Sequence, residues 1–155
     1  MELRLATAED LPAIQALDRE QSPVYRHPSG YEALLQPPGT LLLLDHDGQL
    51  AGFAAFTQVL DEATLLNIAV APSQRGMGLG RRLLEAGCRA VASTGARRVL
   101  LELRESNEVA RRLYETMAFA LDARREDYYP ASTPGGAREA AILMSKTLEF
   151  DSAGS

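Results

Sequence analysis

Short apolar runs and amphipathic stretches alternate along the whole chain. Leu3 to Leu5 predicts a short strand, and Thr7-Ala-Glu-Asp10 has the spacing of a capping box. Leu11, Ile14 and Leu17 recur at helical spacing, so a helix is predicted from about Ala8 to Glu20. Gln21 to Gly30 (QSPVYRHPSG) reads as a loop, and Tyr31 to Gln36 as a short helix stopped by Pro37-Pro38-Gly39. Thr40 to Leu44 and Gln49 to Leu60 predict strands paired across an Asp47-Gly48 turn, and Ala63 to Ala71 a further strand ended by Pro72. The next helix carries an apolar stripe of Leu79, Leu83, Leu84, Cys88 and Val91. Arg98 to Leu103 is a buried strand and Ser106 to Met117 a helix. Phe119 to Tyr129 and Glu139 to Leu148 form an antiparallel pair joined by Pro130 to Arg138. The order is roughly β-α-α-β-β-β-α-β-α-β-β, an α/β (α+β) arrangement with helices on a mixed sheet. One domain is expected over residues 1–148, followed by a frayed tail from Glu149 to Ser155.

Composition narrows the function classes. With 46% hydrophobic and 24% charged residues, the 155-residue chain is of ordinary globular type. A net charge of −5 disfavours direct nucleic-acid binding. No apolar run approaches the ~18 residues of a membrane span. The start, MELRLATAED, lacks the basic and apolar regions of a secretory signal, and Cys88 is the single cysteine, so a cytoplasmic protein is expected. His27 and His46 stand alone, with no second histidine at ligand spacing, and no metal site is expected.

The strongest chemical signal is the segment from Ile68, Ala69 and Val70 through Arg75-Gly76-Met77-Gly78-Leu79-Gly80 to Arg81. A strand ends, a glycine-rich loop opens, and a helix begins. Such a loop lets backbone N–H groups approach a phosphate with no Cβ in the way, and the helix start adds partial positive charge. Arg75 and Arg81 flank it and offer charge-assisted contacts. The loop has neither the lysine of a P-loop nor the later acidic residue of a dinucleotide fingerprint. A plain flexible connection into a helix remains open on this segment alone.

Three other residues stand out. Glu102 lies in the otherwise apolar Val99-Leu-Leu-Glu-Leu103 and is read as buried. A buried carboxylate is costly unless paired or functional, and spacing alone favours a salt bridge to a neighbouring arginine. Tyr114 follows Asn107 by seven residues, nearly two helical turns, so both are placed on one face. By themselves they read as a core-edge aromatic and a helix-terminus hydrogen bonder. Cys88 falls on the apolar stripe and is read as core. Tyr128 and Tyr129 fit either a groove wall or ordinary hairpin packing.

Arg75-x-x-Gly78-x-Gly80 resembles the pyrophosphate motif of the GNAT (Gcn5-related N-acetyltransferase) superfamily. The resemblance is closest to the RimI-type ribosomal-protein alanine acetyltransferases. It rests on Val59-Leu-Asp-Glu-Ala-Thr-Leu-Leu-Asn-Ile-Ala-Val70, Leu101-Glu-Leu-Arg-Glu-Ser-Asn107, Leu113-Tyr114-Glu115 and Asp127-Tyr-Tyr-Pro130, and spans about residues 52 to 148. It implies a sheet of about seven strands with a splay between the fourth and fifth. It also implies acetyl-CoA as cosubstrate, held by residues 68–70, by the loop from Arg75 to Arg81 and by Asn107. Val70 would offer its N–H to the thioester oxygen. Glu102 matches the general base and Tyr114 the general acid. An α-amine with a pKa near 8 is mostly protonated at neutral pH, so its attack on a thioester needs a proton acceptor. The acceptor implied is the N-terminal alanine of a small-subunit ribosomal protein, reached without a covalent acetyl-enzyme. Another protein N-terminus, a lysine or a small-molecule amine is the alternative acceptor. A CoA-binding module without turnover is the alternative function. Asp61 and Glu62 are expected to add negative charge toward a basic acceptor tail, between walls formed by Gln21 to Gly30 and Tyr128 to Arg138. Two departures stand out. Ala118 replaces a usual glycine, and the chain lacks the tryptophan usual in the Gln21 to Gly30 loop.

Overall fold

The computed structural model describes residues 1–21, 30–131 and 133–149. Seven strands form one sheet: β1 (Glu2–Leu5), β2 (Gly39–His46), β3 (Gln49–Val59), β4 (Glu62–Val70), β5 (Arg98–Arg104), β6 (Ala120–Tyr129) and β7 (Glu139–Thr147). Their order is β1-β2-β3-β4-β5-β7-β6. Every neighbouring pair is antiparallel except β4 with β5. Local chemistry explains the hairpins. Asp47 and Gly48 both have positive φ (53° and 81°), as a two-residue turn matched to strand twist requires. The parallel pair needs a crossover, supplied by α2 (Leu79–Ser93).

Each face of the sheet has its own core. On one, Leu83, Leu84 and Val91 of α2 pack with Phe56, Val99, Leu101, Leu103 and Met144, and α3 (Glu108–Thr116) joins through Tyr114. On the other, Ile14 and Leu17 of α1 (Leu11–Gln21) pack with Tyr31, Leu41, Leu43 and Phe53. The run Leu41 to Leu44 is continuously apolar because β2 is covered on both sides. A Cβ at Gly87 would stand 2.3 Å from the Phe56 ring, so glycine is what lets α2 sit directly on the sheet. At the exposed edge, β6 carries Asp122, Arg124, Arg125 and Glu126, and Arg124 pairs with Glu105 and Glu126. Charge of this kind discourages pairing with another chain.

Several boundaries differ from those the sequence predicts. The segment after Gly30 is a 3-10 turn, Glu32–Leu35, and α3 starts at Glu108 because Asn107 caps it from outside. The capping box appears as Thr7 N–H donating to Asp10 Oδ2 at 2.7 Å. Asp10 also takes Arg4 at 2.8 and 2.9 Å, and that guanidinium holds its carboxyl down at about 2. Most of the expected loop after Gln21, with His27, and the tail beyond Glu149 lie outside the described residues.

Candidate active site

The site begins where two parallel strands part. β4 and β5 are paired from Glu62 with Arg98 to Leu65 with Leu101, and there the ladder stops. On the other side of β4 the register with β3 shifts between Phe56↔Leu65 and Ala55↔Asn67, so Leu66 is an extra residue. A bulge bends its strand. Beyond it β4 continues beside β3 as far as Val70, opposite Gly52, while its other edge opens. Ala71 N–H donates to the Ala51 carbonyl of β3 at 2.8 Å. Alternation then turns the N–H groups of Ala69 and Ala71 toward β3, and those of Ile68 and Val70 toward the opening. Asn67 Oδ1 accepts from Ile68 N–H at 2.8 Å. Val70 N–H is therefore the open-edge donor of the three, and Ala69 serves the ladder. Arg75 Nε donates to the Val70 carbonyl at 3.4 Å, which draws the following loop back over the opening.

That loop leads into α2. A 3-10 turn over Pro72–Gln74 precedes it, and Gly76 and Gly78 have φ of 81° and 73°. Gly78 is the N-cap of α2, and a Cβ on either glycine would meet no atom within 4 Å. The first helical bond is Arg82 N–H to the Gly78 carbonyl at 3.1 Å, so the N–H groups of the first turn, Leu79 to Arg81, have no intrahelical partner. Open space, unpaired N–H groups and a helix N-terminus together suit a phosphate. At Gly80 the requirement is packing, since a Cβ there would touch Leu113 of α3 at 3.4 Å. Arg81 pairs with Glu85 at 2.9 Å, an exposed contact that leaves it able to swing. Leu79 is buried, whereas Arg75 and Met77 are exposed.

Glu102 is the first β5 residue beyond the parallel ladder. It is exposed, which corrects the expectation of a buried carboxylate. Val99, Leu101 and Leu103 are buried against α2, so Glu102 between them points to the opposite face, at the opening. Among the described residues it makes no salt bridge, so the arginine pairing expected from spacing is also corrected. Arg104, next on the same face, donates to Glu139 at 3.3 Å and to the Pro130 carbonyl at 3.0 Å, and lies 4.8 Å from the Tyr129 ring centre. Tyr129 therefore closes one side of the surface that Glu102 occupies, and Tyr128 packs on it at 5.0 Å between ring centres. Glu139 also accepts from Ser106 N–H at 2.6 Å, tying β7 to the turn that enters α3.

Tyr114 stands on the other side of the sheet. It is 5% exposed, and burial pushes its phenol up to about 12. The end of α3 holds it: Phe119 N–H bonds the Tyr114 carbonyl and Ala118 N–H the Glu115 carbonyl, both at 3.0 Å. The Phe119 ring packs on Tyr114 at 5.7 Å between ring centres. This is the Schellman arrangement with its apolar contact, and Ala118 occupies the left-handed position with φ 69°. Asn107 does not share a helical face with Tyr114, because as N-cap it lies outside α3 and turns Oδ1 back to Ala110 N–H at 3.1 Å. Its –NH2 is left for a ligand. Cys88 is buried, and burial pushes its thiol up, away from nucleophile character. His46 lies 3.4 Å from Gln74, and among the described residues no three His, Cys, Asp or Glu side chains are grouped to hold a metal.

Asp61 and Glu62 are placed differently from the expectation. Because β4 and β5 run parallel, both start at the same end, where the Asp61 carbonyl accepts from Arg97 N–H and Glu62 pairs with Arg98 at 3.5 Å. The opening is at the other end, so neither can line it. Near the Arg98 end lies a concavity of about 840 Å³ bounded by Cys88, Met117 and Ser145, remote from Glu102 along β5. The sequence reading missed Asn67, whose –NH2 donates to Asp18 at 2.8 Å and to Tyr31 at 3.0 Å. The available signal was a polar residue inside Leu65-Leu-Asn-Ile68.

A sheet that splays after one parallel pair, with a helix N-terminus and glycine loop at the gap, defines an N-acetyltransferase fold. The chain belongs to the acetyltransferase (GNAT) family, whose family model matches residues 7–119. It is 45% identical over 107 residues to the ribosomal protein bS18-alanine N-acetyltransferase of Escherichia coli K12, covering 69% of this chain and 70% of that one. The corresponding enzyme of Haemophilus influenzae is 44% identical over 103 residues, covering 66% and 68%. The crystal structure of the Escherichia coli S18-alanine enzyme superposes with a TM-score of 0.81 at 33% identity, over 97% of both chains. Among the described residues no helix is long and apolar enough to cross a membrane.

Proposed function

We propose that this enzyme transfers acetyl from acetyl-CoA to the N-terminal alanine α-amine of a small-subunit ribosomal protein in the cytoplasm, with both substrates bound at once. The observation that carries the reading is the strand gap with an exposed carboxylate, Glu102, on one face and a protonated phenol, Tyr114, on the other. A thioester lying in the gap can be approached by an amine from the Glu102 side while its sulfur faces Tyr114. The N–H groups from Gly76 to Arg81 and Arg75 hold the pyrophosphate, and the Asn107 –NH2 offers a further contact. Val70 N–H faces the thioester oxygen, where negative charge develops during attack. Glu102 takes the amine proton directly or through water, and Tyr114 protonates the departing sulfur. The acceptor identity is supported by the relatives at 44% and 45% identity, which are named for bS18 alanine acetylation.

The test is acetylation of a peptide beginning with alanine and followed by basic residues, read by mass spectrometry. Acetyl is expected on the α-amine alone, and blocking that amine should abolish the reaction even with lysines present. Product found only on lysine side chains or only on free small amines would move the acceptor to the alternative class.

A further inference from the structure

Asn67 follows the bulge at Leu66, on the stretch of β4 that β5 has left. A side-chain amide usually can flip, but here its environment fixes it. Asp18 accepts from Asn67 Nδ2 at 2.8 Å, and a carboxylate is the natural partner of –NH2 rather than of C=O. Tyr31 takes the same nitrogen at 3.0 Å. Both partners belong to the α1 side of the sheet, and Asp18 is only 6% exposed. Oδ1 is thereby aimed at Ile68 N–H, 2.8 Å away, which is one of the N–H groups on the open edge of β4. An amide oxygen has two lone pairs, and this bond uses one. Asn67 itself is half-buried and so within reach of solvent. Glu102 points to the face opposite the α2 core, and Asn67 bonds residues of that same α1 face. The two polar groups thus flank the gap on the side from which an amine would come.

The chemistry of the attacking group gives that oxygen a task. A neutral primary amine has two N–H bonds and one lone pair. The lone pair forms the new C–N bond, one proton leaves to the base, and the other N–H survives in the amide product. Holding both N–H groups aims the lone pair at the thioester carbon. We propose that Asn67 Oδ1 accepts the surviving N–H of the acceptor amine, orienting the nucleophile, with Asp18 and Tyr31 as positioning residues that keep the oxygen facing the gap. This rests on the acetyltransferase reading above.

The experiment measures steady-state kinetics with the alanine-first basic peptide and, separately, acetyl-CoA affinity by calorimetry, for the wild-type chain, Asn67→Ala and Tyr31→Phe. Tyr31→Phe keeps the ring that packs edge-on against Phe53 at 5.4 Å, so it guards against a variant that fails to fold. Asn67→Ala is expected to lower kcat/KM for the peptide about 10- to 100-fold, the scale of a lost oriented hydrogen bond, with acetyl-CoA Kd within about twofold of wild type. Tyr31→Phe should show the same split, several-fold in size. Unchanged peptide kinetics in Asn67→Ala, or in Tyr31→Phe should Asn67→Ala not fold, would overturn the inference. So would a parallel loss of acetyl-CoA affinity, which would place the oxygen on the cofactor arm or make Asn67 a structural residue. A wild-type chain that binds no acetyl-CoA would overturn the acetyltransferase reading and this inference with it, an outcome distinct from both.

Discussion

The proposed proton chemistry rests on two single residues, and their surroundings differ. Glu102 is exposed at the gap, where its carboxylate oxygens are open to an incoming amine. Tyr114 is buried in the core on the opposite face of the sheet, and burial holds its phenol up at about 12. Glu102→Gln keeps the shape but not the basicity, and Tyr114→Phe keeps the packing on Phe119 but not the proton. Each should lower kcat by roughly 10²- to 10⁴-fold, with acetyl-CoA affinity unchanged by calorimetry. The pH profile separates the two residues. An ordinary phenol ionises near 10, but the folded value of about 12 keeps Tyr114 protonated two units further. The rate should therefore show no descending limb centred near pH 10. A limb there that disappears in Tyr114→Phe would mean that the phenol titrates as an exposed one. The expected burial of Glu102 fails for a reason visible in its neighbours. In a strand, Leu101 and Leu103 report the face that Glu102 does not occupy, so an apolar run says nothing about the residue between them.

Helices and strands place those residues, and two end structures matter most. At the start of α2, Gly78→Asp would force a side chain into a left-handed backbone position and put negative charge beside unpaired N–H groups. Acetyl-CoA binding should weaken by about tenfold or more, equivalent to ~1.4 kcal/mol, while the far-ultraviolet circular dichroism stays native. At the end of α3, Ala118 adopts φ 69° and completes the turn that presses Phe119 on Tyr114. Ala118→Gly should raise stability by about 1 kcal/mol in denaturant unfolding, since glycine relieves the left-handed penalty. Strands β2 to β5 and the helices α1 to α3 were legible because each buried stripe is continuous in sequence, as in Leu79, Leu83, Leu84 and Val91. The insertion of β7 between β5 and β6 was not, because Glu102↔Leu143 pairing joins distant segments. The family resemblance implies a bulge in the fourth strand, but its position at Leu66 was not legible, since no glycine or proline marks it.

At the scale of the molecule, one geometric fact organises the proposed site. β4 and β5 are parallel, so they share a closed end at Glu62 and Arg98 and part at the other. All the proposed chemistry lies at the parted end, and the acidic Asp61 and Glu62 at the closed end cannot guide an acceptor into it. The loop from Gly76 to Gly80 stood out in the sequence because glycines leading into a helix form a local pattern, and the structure has Gly78 as the N-cap of α2. Which end of the sheet each acidic residue faces needed the strand directions. The most direct test of the account is an amide chemical-shift titration of the ¹⁵N-labelled protein with acetyl-CoA. The largest shifts should fall on Val70, Gly76 and Gly78 to Arg81, with Asn107 also moving and with Asp61, Glu62 and Arg98 unmoved. Largest shifts instead around Cys88, Arg98 and Ser145, at the closed end, would contradict a site in the strand gap.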